Sequence, residues 1–284
     1  MIQKMLGYYT SSTKTSPFNR DNFYIEISNH HIACWVKDEK AQAVTAIEWF
    51  KIELEYNNWN DIFYELRKET HLLEKSYDNT YVFLANKEAV LIPAVKFNMH
   101  HATDYLKLLY GADYNKLVQQ DKCNYRGEEI HIAYYINADL LQSIERNFLS
   151  IKYTHTYTGI LHNLSNLELT NILGNNVVVY FYHHYFIIAL FKNSQLQIIQ
   201  QHHYTTQEDV LFWLLHYFNV YHLHASTDGI NIAGYIDMEG EMAALIKNNF
   251  SNVYALAINN ELIQFTTDTP YPDYYFTPFF SLEP

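Results

Sequence analysis

Two stretches of this 284-residue chain pass through the same succession of elements, and a repeated order restricts a fold more than any single motif does. In the first half, Phe23–Ser28, Ile32–Lys37 and roughly Ala43–Leu54 read as strands joined by short polar turns. Trp59, Ile62, Phe63, Leu66 and Leu73 then recur at helical spacing, with Asn58 or Asn60 as the N-cap. "TYVFLANKEAVLIP" reads as a strand, a turn and a short second strand that Pro93 ends. Ala102, Tyr105, Leu106 and Leu109 make one face of a helix begun near Asn98 and stopped by Gly111. "EIHIAYYI" is a strand, and Leu140, Leu141, Ile144 and Phe148 stripe the helix behind it.

The second half opens after "LGNN" with three strands, "VVVYFY", "YFIIALF" and "QLQIIQQHHY", separated by His183-His184 and Asn193-Ser194. Thr205 and Glu208 form a capping box before "VLFWLLHYF", a helix apolar nearly all round and therefore expected to be buried. "INIAGYI", "EMAALIKNNF" and "VYALAI" supply strand, helix and strand. Both halves thus predict three antiparallel strands, helix, strand, helix, strand, the first half adding a helix at Asn137–Phe148. The expected division is two similar subdomains, 1–170 and 171–284, the second carrying an extended C-terminal tail. The repeat also accounts for an echo between "SNHHIACW" and "YFYHHYFIIALF": the His pairs fall at equivalent tight turns between the first two strands of each half.

The bulk properties exclude several function classes. Net charge is −12 with no long Lys/Arg cluster, which argues against nucleic acid and anionic membrane surfaces as partners, since both need cations to displace counterions. The apolar runs near Val177–Leu190 and Val210–Leu215 fall short of a bilayer span, and the N-terminal stretch lacks a secretory apolar core. Cys34 and Cys123 are isolated and lack metal spacing, as expected of a cytoplasmic protein with two reduced thiols.

The segments "VLIPAVKF", "KYTHTYTGIL", "QIIQQHHYTTQEDVLFWLL", "INIAGYI" and "YYFTPFFSL" resemble a bacterial family assigned to a domain of unknown function, for which an actin-like ATPase fold is known. The resemblance runs from about Phe23 to Leu282. It implies a mixed α/β architecture, a duplicated β-β-β-α-β-α-β actin-like (ribonuclease H-like) fold in two similar subdomains. Active members of that superfamily carry an Asp-x-Gly turn in each half, facing phosphates and Mg²⁺, and a Gly-Gly pair near the adenosine. Glycine lets backbone amides approach phosphate oxygens, and aspartate holds the hydrated metal. Here the two turns read "SNHH" and "FYHHYF", and the adenosine position reads "AGYID", with Gly234 followed by Tyr235. The resemblance therefore implies a degenerate nucleotide site and a non-catalytic binding or scaffolding protein, with an unknown protein partner and no cofactor. The alternative is a divergent nucleotide-binding protein, a weak ATPase or kinase, using the cleft between the subdomains through Asn29, His30, His183, His184 and Gly234.

Other constellations weigh less. Neighbours on a strand point to opposite faces, so the pairs His30-His31, His100-His101, His183-His184 and His202-His203 are poor joint metal ligands. His222 and His224 lack a third ligand, and His131 and His216 are expected within packing. Asp237, Glu239 and Glu241 fit the start of a helix, where acidic residues complement the dipole. Ser226, His224 and Asp228 lie close in sequence without a nucleophile elbow, and the chain's eight glycines form no phosphate-binding loop. In the tail, Tyr271, Tyr274, Tyr275, Phe276, Phe279 and Phe280 are too apolar for a solvated end. Pro270, Pro272 and Pro278 argue against helix or central strand, so an extended segment packed along the second half is expected.

Overall fold

The computed structural model describes residues 2–9, 21–38, 43–53, 58–148, 150–166, 174–257, 270–282 and 284. The chain divides into two compact units, the first running through Ser165 and the second carrying the remaining strands together with Tyr271–Ser281.

Unit 1 contains a six-stranded sheet. Its strands are β1 (Ile2–Tyr9), β2 (Asp21–Ser28), β3 (His31–Asp38), β4 (Ala43–Ile52), β5 (Asn79–Ala85) and β9 (Ile151–His155), in the order β1-β4-β3-β2-β5-β9. Unit 2 contains β10 (Asn176–Phe181), β11 (Tyr185–Lys192), β12 (Gln195–His203), β13 (Gly229–Gly234) and β14 (Asn252–Ala255), in the order β12-β11-β10-β13-β14. With β1 set aside, the two orders are the same. The first three strands pair antiparallel, and the next two continue parallel to the first.

Helices α1 (Trp59–Glu69) and α3 (Ala138–Asn147) belong to unit 1, as α5 (Gln207–Val220) and α6 (Glu241–Asn249) do to unit 2. Asn58 caps α1 by accepting the Asp61 amide at 2.9 Å, as its position predicts, and Trp59, Ile62, Phe63 and Leu66 form the buried stripe. The turn between β11 and β12 places Asn193 and Ser194 at φ 52° and 64°, the left-handed pair that two-residue hairpins favour.

Several expectations need correction. The strand "EIHIAYYI" and the helix before it are not the repeat's own second helix and last strand. They form an insertion of β6 (Ala89–Pro93), α2 (Ala102–Tyr110), β7 (Lys116–Tyr125) and β8 (Glu128–Asn137), with the separate sheet order β6-β8-β7. Its core is Ile92, Ala102, Leu106, Ala133 and Tyr135. The repeat resumes with α3 and β9. β7, "KLVQQDKCNY", is too polar to read as a strand by alternation, and its partner β8 therefore looked like a core strand.

The capping box of α5 sits one residue later than expected. Thr206 caps the helix, and the Asp209 carboxylate accepts the amides of Thr205 and Thr206 at 2.9 Å each. Nor is α5 buried all round: Phe212 is 60% and Leu215 44% exposed, because the helix lies on one face of the sheet and covers it with a single stripe. His216 is likewise exposed, stacked alongside Phe212.

α5 and α6 cover the face of the unit 2 sheet bearing Val177, Val179, Phe181, Phe186, Ile188 and Ile232. The opposite face bears Tyr180, Tyr182, Tyr185 and Ala233, and the tail lies against it, Phe279 meeting Tyr182 edge-on at 5.9 Å. The tail is not extended. A 3-10 turn at Asp273–Tyr275 leads into α7 (Thr277–Phe280), where Pro278 stands in the first turn and no intrahelical amide is needed. Phe276 is 1% exposed, and Thr277 Oγ1 donates to the Leu256 carbonyl at 2.9 Å. Phe276→Ala should therefore cost about 3–5 kcal/mol of unfolding free energy. The denaturant midpoint at constant slope reads it, and an unchanged midpoint would show that the tail lies outside the cooperative fold.

Candidate functional site

The two first hairpins supply the positions at which the sequence locates a site. Between β2 and β3 the last paired residues are Ile27 and Ile32, so Ser28, Asn29, His30 and His31 make the turn. Ser28 Oγ accepts the amides of His30 at 3.1 Å and His31 at 2.9 Å. The same oxygen lies 2.9 Å from His31 Nδ1, His31 Nε2 lies 3.2 Å from Glu26 Oε2, and Thr156 Oγ1 donates to Glu26 Oε1 at 3.1 Å. All four side chains are buried. The chain Ser28–His31–Glu26 has the hydrogen-bond order of a nucleophilic triad, yet its hydroxyl is committed to two backbone amides and lies beneath the surface. It locks the turn. Asn29 is exposed and His30 half-buried, the latter's carbonyl accepting the Ile52 amide at 2.9 Å.

Between β10 and β11, Phe181 pairs with Phe186 and the Tyr182 amide donates to the Tyr185 carbonyl at 2.9 Å, leaving His183-His184 as the loop. The His pairs thus occupy equivalent turns, as expected, with an offset: His183-His184 fills its loop, whereas His31 already belongs to β3. His183 meets His184 at 4.3 Å and Tyr235 edge-on at 5.1 Å. Gly234 pairs with Phe181 across parallel strands, so the structure brings His183, His184 and Gly234 to one sheet end of unit 2; Asn29 and His30 lie in unit 1. Gly234 has φ +94°, and a Cβ there would stand 2.1 Å from the Phe181 carbonyl oxygen and 2.8 Å from Pro278. What this glycine admits is the chain's own backbone and tail.

A second polar cluster went unread in the sequence. Asp121 of β7 accepts Thr154 Oγ1 at 2.5 Å, the His155 amide at 2.6 Å and Thr158 Oγ1 at 2.7 Å on one oxygen, and the Tyr134 hydroxyl at 3.1 Å on the other. It caps the start of α4 (Thr156–Asn166) from a strand more than thirty positions away. His155 is fully buried. Tyr157 donates its amide to Nδ1 at 3.1 Å, and Nε2 lies 3.0 Å from the Asn86 carbonyl, partners that fix a neutral ring with its proton on Nε2. Burial pushes its pKa down to about 3. His202 behaves alike: burial, then the nearby His216 and His203, push it down to about 4, while its ring stacks on Trp213 at 3.8 Å.

The remaining candidates resolve into structural roles. Asp228 accepts the His224 amide at 2.7 Å and closes that loop. Asp237 accepts the Glu239 amide at 2.9 Å ahead of α6, and Glu241 opens that helix. His101 pairs with Asp104 at 2.9 Å, and His131 stacks on Phe97 at 4.0 Å. Among the described residues, no three His, Cys, Asp or Glu side chains are grouped to hold a metal ion, and no helix is long and apolar enough to cross a membrane. Burial raises the Cys34 thiol well above its ordinary pKa, which removes its nucleophilic character near neutrality.

Two sheets with the same order of three antiparallel and two parallel strands define an actin-like ATPase fold. A Bacteroides thetaiotaomicron protein of that fold and unknown function aligns with a TM-score of 0.74, at 14% identity over 86% of this chain and 94% of its own. A chain of the PilM–PilN type IV pilus biogenesis complex aligns at 0.59, with 9% identity over 88% of this chain and 91% of its own. The ethanolamine utilization protein EutJ of Carboxydothermus hydrogenoformans aligns at 0.50, with 8% identity over 96% and 93%. No curated protein matches by sequence. The chain belongs to the family described as protein of unknown function (DUF3822), which matches residues 11–253.

Two outcomes follow from the polar clusters. Ser28→Ala strands the turn amides of His30 and His31 and should cost about 1–3 kcal/mol in chemical denaturation; full stability would mean that water replaces the hydroxyl. Because the folded pKa of His155 lies below its unfolded value near 6.5, the unfolded chain takes up the proton first as pH falls. This contribution is complete above the unfolded pKa and is lost as pH drops towards 3, on the order of 5 kcal/mol in all. The fall in unfolding free energy between those limits should be shallower in His155→Gln; an identical slope would contradict the assignment.

Proposed function

We propose that this chain is a non-catalytic binding or scaffolding protein on an actin-like fold, with a protein partner. The observation that carries the reading is the β2–β3 turn, where the Ser28 hydroxyl already takes the two amides that a phosphate would need. The β10–β11 turn supports it with two imidazoles in place of aspartate and glycine, and Gly234 is filled against Phe181 and Pro278. A neighbour of the same fold is known in a complex between two proteins, PilM and PilN, and this supports a protein partner by analogy of fold.

Calorimetric titration of the full chain with MgATP should give no specific heat. Saturable micromolar binding that His184→Glu abolishes would overturn the reading and establish a nucleotide site. Gly234 is unsuited to that experiment, since any side chain there strains the backbone whether or not nucleotide binds.

A further inference from the structure

Unit 1 holds a cavity of about 170 Å³ between the starts of β2 and β5 and the end of α3. It is remote from the turn that carries Ser28. Phe23, in its wall, stands five residues before Ser28 on the same strand, which separates the two by roughly 16 Å. Phe23 and Thr80 lie opposite each other on parallel strands, so their side chains point to one face of the sheet. Tyr77 stacks on the Phe23 ring at 4.9 Å. Phe148 meets that ring at 5.9 Å and packs edge-on against Phe63 of α1 at 5.7 Å.

Bonds within unit 1 fix these walls. The Tyr77 hydroxyl donates to the Leu72 carbonyl at 2.7 Å, so the residue offers the cavity its ring. Asn147 Oδ1 accepts Arg67 Nε at 3.2 Å, and its Nδ2 donates to the Ser143 carbonyl at 2.7 Å. A site whose walls are already held need not be ordered by its ligand, which lowers the cost of binding.

We propose that this cavity binds a small uncharged molecule built on one aromatic ring that carries a hydroxyl or carboxamide group. Size sets the first limit: a cavity of about 150 Å³ holds one benzene, so this one admits a single six-membered ring and little more. Three aromatic rings and Leu73 supply apolar walls suited to a planar guest. Ser76 and Thr80 bring hydroxyl groups, each with one donor and two acceptor positions, to meet a polar substituent. Charge is selected against in both senses. Asn147 ends α3, whose carbonyl end repels an anion, and the Lys75 ammonium at the rim repels a cation.

Titration calorimetry of the full chain with phenol tests it. Saturable one-site binding is expected, with Kd on the order of 0.1–1 mM. Leu73→Trp fills the cavity and should weaken binding at least tenfold while the melting temperature holds. Thr80→Val keeps the shape and removes the hydroxyl, so it should weaken phenol about fivefold and leave toluene unchanged. No saturable binding, phenol binding that Leu73→Trp leaves intact, or benzoate or benzylamine binding as tightly as phenol overturns the proposal. If Leu73→Trp unfolds, Thr80→Val decides alone, and unchanged phenol binding or equal weakening of phenol and toluene overturns it.

Discussion

Strands buried on both faces need cover on both faces, and in this repeat the helices cover only one. β2, β3, β10 and β11 are buried almost throughout, so water must be excluded from their second side by other parts of the chain. Unit 1 uses α4 and unit 2 uses the C-terminal tail. Each cover comes close only because a glycine lets it. A Cβ on Gly159 would lie 2.8 Å from the Phe83 ring, and one on Gly234 would lie 2.8 Å from Pro278. The same covers engage the polar groups near the strand ends: Thr156 binds Glu26 in unit 1, and Pro278 closes over Gly234 in unit 2. The strand ends at Glu26 and Gly234 are therefore tied into the packing of each unit.

The carboxylates at these places are held by hydroxyls and amides. Asp121 takes its four hydrogen bonds from two threonines, a tyrosine and a backbone amide. Glu26 receives Thr156 and faces His31. Contacts to neutral dipoles are not weakened by salt as exposed ion pairs are, and they hold a group in one direction. With charged residues at 18% of the chain, His, Thr, Tyr and Asn carry the polar work of the interior. His155 and His202 illustrate the cost: each is kept neutral by burial, so each opposes folding in acid.

The repeat was legible because its strands alternate with helices at distinct periods, and the hairpin turns stood out as polar breaks between apolar runs. The insertion was not legible, since β7 mixes Gln, Asp, Lys and Asn and owes its extended form to pairing with β8. Burial of α5 was misjudged because apolar composition tells how much surface a helix would hide, not how much partner surface exists. The tail's contact with the second half was readable from its six rings, but its shape depended on Pro278 entering a helical first turn. Glu26 did leave a signal, a single carboxylate within "FYIEIS". Asp121 left none, because three of its partners are brought to it by tertiary pairing from 33 to 37 positions away and the fourth, Tyr134, across the β7–β8 hairpin.

Backbone conformation also explains why neither first hairpin holds a glycine. At the β11–β12 turn, where two left-handed residues are needed, the chain uses Asn193 and Ser194 instead of glycine. Asn29, His30, His183 and His184 are not among the residues with positive φ. Neither first hairpin therefore requires glycine for its own geometry, and imidazoles fit at no conformational cost. In the β2–β3 turn the Ser28 hydroxyl satisfies the His30 and His31 amides and stabilises the turn.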